Sequence, residues 1–249
     1  MTHTANTPHT PHAPSTPNPS HARSTPSTPS TPNPPHAPAA PRTPNPPQAR
    51  ATPLVPPAGL TRFAFVAGPL ALLAYGGIRL LSERGTPGLG WTLGHLAMLT
   101  GVLLFLPVLR HLHRAAPPSR RRAASVALVA AGAGLVATAA QAVIDLVAGL
   151  AAADRPAMRE IFRQVKAVPG VEPVVYGVVP PLFFLGLIVL AALVAASART
   201  RILMAGTLLA GTVCMAVSLD LLPLGGLCFL LAFTPLLLAG RVTALPRTN

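Results

Sequence analysis

Six side chains can carry chemistry in an otherwise apolar stretch of this chain: Arg79, His95, Gln141, Asp145, Tyr176 and Asp220. Gln141 and Asp145 stand four residues apart in "TAAQAVIDLVAGL" (138–150), with Thr138 three residues before Gln141. On a helix the three share one face. Carboxylate, imidazole and guanidinium groups bind or pass a proton or an ion, while an amide and a phenol hydrogen-bond them. In hydrocarbon an unpaired charge costs several kcal/mol, so an ionisable group there faces the interior of a helix bundle and pairs. Asp145 is therefore expected to meet Arg79 or His95 across a helix interface.

Composition identifies the medium. Of 249 residues, 51% are hydrophobic and 10% charged, where a soluble domain carries about 25% charged residues. The first 57 residues hold 18 of the 31 prolines and repeat TPNP at 16–19, 31–34 and 43–46. Such a Pro/Thr/Ser-rich segment has too little apolar area to offset ordering entropy. Residues 1–57 are thus expected to be a disordered tail and 58–249 an integral membrane domain. The tail holds His3, His9, His12, His21 and His36. It reads as a solvated linker, with a metal-collecting or docking role as the alternative, and its composition names no partner.

Six apolar runs follow, at 60–81, 88–109, 124–149, 174–197, 202–221 and 222–240. Each has about 20 residues or more, enough to cross about 30 Å of hydrocarbon as a helix. Lipid offers no partners to open backbone groups, so the expected fold is all-α, a six-transmembrane-helix bundle. Pro69, Pro107, Pro180, Pro181 and Pro235 are candidate kinks, and Gly132, Gly134, Gly206 and Gly211 candidate close crossings. Between the third and fourth runs, Met158, Ile161, Phe162 and Val165 recur at helical spacing opposite Arg159, Glu160, Arg163 and Lys166. The outer loop 154–173 should hold an amphipathic helix lying on the membrane surface, ended by Pro169-Gly170.

Orientation follows from the cations. The linker "RHLHRAAPPSRRR" (110–122) contains Arg110, Arg114, Arg120, Arg121 and Arg122 and no acid. Lys and Arg favour the cytoplasmic side. With both termini and this linker inside, 13 basic residues are cytoplasmic and 6 external. The five linker arginines suit anionic lipid headgroups. Nucleic acid is not an expected partner, because the arginines sit between apolar runs. In this orientation the six side chains of the opening form one band in the outer half of the membrane, and Trp91 reads as an interface anchor.

Three functions suit such a band. The leading one is a small-solute or ion/proton permease, or a sensor. The next is a non-catalytic membrane scaffold or assembly subunit whose polar residues are interhelical glue. An intramembrane enzyme is third, because no H-E-x-x-H, G-x-S-x-G, Walker or dinucleotide motif is present. No cofactor or metal site is expected, since Cys214 and Cys228 lie in apolar runs and His111 and His113 lie among arginines.

The stretches "GLGWTLGHLAMLTGVLLFLPVLRHL" (88–112), "QAVIDLVAGLAAADRPAM" (141–158) and "SLDLLPLGGLCFLLA" (218–232) resemble uncharacterised multi-pass membrane proteins of high-GC actinobacteria. Over residues 60–240 the resemblance implies a bacterial plasma-membrane location and a bundle of about six helices, with no chemistry to transfer.

Overall fold

Proline, serine and the arginines set where the helices begin and end. The computed structural model describes residue 57 and residues 59–83, 85–195 and 197–242; the remainder of the tail lies outside the described residues. The helices are α1 (Gly59–Leu81), α2 (Leu89–Ala115), α3 (Arg121–Ala151), α4 (Arg155–Ala167), α5 (Pro181–Val194), α6 (Ala198–Val217) and α7 (Leu222–Val242). Among the described residues there is no strand. Six segments are long and apolar enough to cross a membrane: α1, α2, Pro118–Ala151, Glu172–Val194, α6 and Leu219–Ala239. This is the architecture of a multi-pass membrane protein.

The arginine linker is shorter than the apolar pattern suggests, because Arg110 and Arg114 continue α2 and Arg121 starts α3. Arginine is a good helix former, and Pro117-Pro118 supplies the stop. Arg121 Nη1 donates to the carbonyl of His113 at 2.8 Å, and Arg120 Nη1 to that of Leu193 at 3.3 Å. Two linker arginines thus satisfy carbonyls at the C-terminal ends of α2 and α5, which also carry the negative end of each helix dipole.

α3 shows which solvent surrounds the bundle. Val126, Val129, Val136, Val143, Val147 and Leu150 form an exposed stripe, while Ala127, Ala131, Gly134, Leu135, Ala142 and Ala148 are buried on the other side. A helix apolar on both faces, one of them uncovered, belongs in lipid. The six spans close into a ring in the order α1, α2, α3, α5, α6, α7 and back to α1, with α2 also touching α5. Phe65, Phe105, Phe183, Phe229 and Phe233 are buried within it. Edge-to-face pairs join them, including Phe65–Phe233 at 4.9 Å and Phe105–Phe183 at 5.1 Å between centroids; such pairs contribute beyond their buried area.

Small residues bring the helices close. A Cβ at Gly134 would land on the Phe183 backbone and one at Gly186 on the Ala127 carbonyl, which fixes the α3–α5 crossing. Gly211 plays the same part for α6 and α7, where a Cβ would meet the Gly225 carbonyl at 3.0 Å. The expectation fails at Gly132 and Gly206, where a Cβ meets nothing within 4 Å. Both point away from the neighbouring helices. Pro69, Pro107 and Pro235 lie inside α1, α2 and α7. Pro180 and Pro181 instead open α5, where proline's missing N–H is no loss.

Candidate functional site

Only three polar or charged side chains are buried among the described residues: His95 (5% exposed), Asp145 (7%) and Thr138 (8%). Thr138 is satisfied on its own helix, its hydroxyl donating to the Gly134 carbonyl at 2.8 Å. The other two face each other across α2 and α3, with His95 Nε2 3.5 Å from Asp145 Oδ2. His95 lies six residues after Leu89 and Asp145 six before Ala151, each about 9 Å inside the same end of the bundle.

Two further donors converge on Asp145. Between Glu172 and Gly177 the chain makes a π-helical turn, with the Val178 amide bonded to the Pro173 carbonyl at 2.7 Å. The α pattern cannot run through, because Pro180 and Pro181 lack the N–H groups that would bond Tyr176 and Gly177. Out of this turn the Tyr176 hydroxyl donates to Asp145 Oδ1 at 3.2 Å. The Trp91 indole N–H donates to the backbone carbonyl of Asp145 at 2.7 Å. Gly149 makes room for that indole, since a Cβ there would overlap the Trp91 ring.

Hydrogen-bonding roles at His95 follow from the partners. Its Nδ1 lies 2.8 Å from the Trp91 carbonyl oxygen. A carbonyl only accepts, so Nδ1 carries a hydrogen. Nε2 then presents either a lone pair or a second hydrogen to the carboxylate. Two lone pairs at 3.5 Å repel. One proton, on Nε2 or on Oδ2, makes the contact attractive and leaves the pair with no net charge.

The surroundings open to one side. Trp91 stacks on His95, with centroids 4.2 Å apart at 32°, and the Tyr75 ring lies 5.5 Å away at 64°. Tyr75 is within hydrogen-bonding reach of Arg79, whose Nε is buried without a partner among the described residues. Tyr75, Arg79, Ser82, Glu83, Trp91 and His95 line a cavity of about 20 Å³, room for one water molecule. It shares Ser82, Glu83, Gly90 and Trp91 with a cleft of about 230 Å³ at the α1–α2 loop. On the other side lies the phenylalanine cluster.

α4 covers the same end. Met158 is buried, Ile161, Phe162 and Val165 are half-buried, and Arg159, Glu160, Arg163 and Lys166 are exposed, the pattern that the spacing predicts. Asp154 caps the helix by accepting from the Ala157 amide at 2.8 Å. Phe162 lies 6.1 Å from Trp91, and Lys166 Nζ sits 5.2 Å from the Tyr176 ring centroid. Bonds from Arg163 at 2.8 and 2.6 Å, and from Gln164, pull the exposed Glu160 carboxyl down to about 2.

Of the six residues singled out in the sequence, His95, Asp145 and Tyr176 are joined directly. Arg79 borders them through Tyr75 and the cavity. Gln141 is half-buried and bonds none of them, and Asp220 occupies the turn between α6 and α7, which packs on α1. Sequence reasoning missed Trp91 as a member of the site; its spacing of four from His95 was the available signal. Comparison with protein-family models, with curated proteins and with solved structures gave no significant match.

Proposed function

We propose that this chain is a proton-responsive sensor of the bacterial plasma membrane that takes up one proton at His95–Asp145 from the external side. One observation carries the reading: Nδ1 of His95 is committed to a carbonyl while its Nε2 faces the Asp145 carboxylate at 3.5 Å, in the one pair of ionisable side chains buried among the described residues. The arginine-rich linker and both termini are cytoplasmic by the distribution of cations. Arg110, Arg114 and Arg122, with the remaining donors of Arg120 and Arg121, meet anionic headgroups there. The resemblance to actinobacterial membrane proteins supports the location. A sensor is favoured over a solute permease because the cavity beside His95 admits one water and the phenylalanine cluster lies beyond it.

The second reading is a scaffold in which the same pair only joins α2 to α3; the bonds to Asp145 from Tyr176 and Trp91 favour it. Asp145→Asn separates the two. It keeps the shape of the carboxylate and removes its charge. For a sensor, the purified variant should elute and melt within a few degrees of wild type while its response to pH is lost. A fall in melting temperature of about 4 °C or more, with the wild-type pH response retained, would favour the scaffold.

A further inference from the structure

At the opposite end of the bundle, α1 and α7 leave a groove between them, and we propose that it is a binding site for one anionic phospholipid. The groove has a volume of about 340 Å³ and is lined by Arg62, Val66, Thr234, Leu237 and Leu238. The Thr234 hydroxyl donates to the Leu230 carbonyl at 3.3 Å, so Arg62 is the charged donor of a lining that is otherwise largely apolar. Arg62 is three residues from the start of α1 at Gly59, about 5 Å from that end and so at headgroup level. α7 is antiparallel to α1 and ends at Val242 on this side, so Leu237 and Leu238 lie level with Arg62, while Val66 and Thr234 lie deeper.

Charge decides the occupant. Every acidic residue of the chain belongs to the other end: Glu83 follows α1, Asp145 lies six residues before the end of α3, Asp154, Glu160 and Glu172 flank or occupy α4, and Asp220 precedes α7. No described carboxylate can therefore reach Arg62. A lipid phosphate supplies the missing anion beside Leu237 and Leu238, and its acyl chain runs inward past Val66 and Thr234. The guanidinium contributes hydrogen bonds as well as charge to a phosphate. The site is independent of His95 and Asp145.

Native mass spectrometry of the full-length protein tests this after titration with phosphatidylglycerol or phosphatidylcholine in detergent. Wild type is expected to retain one phosphatidylglycerol in preference to phosphatidylcholine, and Arg62→Gln to bind it about five-fold more weakly. Val66→Trp, which fills the groove and keeps the charge, is expected to lose the same lipid. Arg199→Gln, which removes a cation from the start of α6 at that end, should retain it. Equal retention by wild type and Arg62→Gln would overturn the proposal, as would equal losses in Arg62→Gln and Arg199→Gln. A gain of lipid on deleting residues 2–55 would also overturn it, because the tail would then be the occupant.

Discussion

Lowering the pH from about 8 to 5 is expected to quench the fluorescence of Trp91 in the purified protein, and His95→Gln is expected to remove the quench. The chain has one tryptophan, so its emission reports a single place. That indole is stacked 4.2 Å from the imidazole. A protonated imidazole against its face is a cation on an aromatic ring, attracted to it and withdrawing electron density from the excited state. Around His95 stand Tyr75 and Arg79 from α1, Glu83 from the loop after it and Asp145 from α3, with Tyr176 bonded to Asp145 and Lys166 of α4 behind Tyr176.

α4 does not confuse the measurement. The folded carboxyl of Glu160 is lowered to about 2, so its contribution is present above the ordinary carboxylate range and is lost only as pH falls towards that value. Its bonds to Arg163 and Gln164 therefore persist through the window examined. Deleting residues 2–55 removes five of the eight histidines and should leave the quench intact. His111 and His113 are at the far end of α2. An unaltered quench in His95→Gln would mean that another group titrates near Trp91.

Gly134→Leu is expected to yield no monodisperse protein on size exclusion, while Gly132→Leu elutes like wild type. The two positions are two residues apart on one helix and differ only in what they face. A Cβ at Gly134 meets the backbone of Phe183, which has no flexible end to move aside, whereas one at Gly132 meets open space. Overpacking by a few methylenes costs about 1–3 kcal/mol even where side chains can shift. Here α3 and α5 must separate, which also moves Phe183 away from Phe105 and Asp145 away from Tyr176. A normally eluting Gly134→Leu protein would contradict the described crossing.

Much of this architecture was legible because hydrocarbon imposes simple demands. Length and hydropathy marked the six spans, and the alternation of Met158, Ile161, Phe162 and Val165 with charged residues marked α4. The need of a buried charge for a partner pointed from Asp145 to His95 or Arg79; the structure supplies His95. Other features depended on rotation about a helix axis, which apolar helices conceal. α3 is apolar all round, so nothing in its periodicity told Gly134, at a crossing, from Gly132, facing outward. Gln141 shares a face with Asp145 in sequence, but helix crossing leaves it beside the site and not in it. The π-helical turn that brings Tyr176 to Asp145 follows from Pro180 and Pro181, which the sequence offered as kinks.

The most direct test is to reconstitute the protein in vesicles with one orientation and change the pH on one side at a time while following Trp91. Emission is expected to respond to acid on the side of α4 and to ignore acid on the side of the 110–122 linker. A response to the linker side, or none to either, would contradict a proton site at His95–Asp145 reached through the α1–α2 cleft.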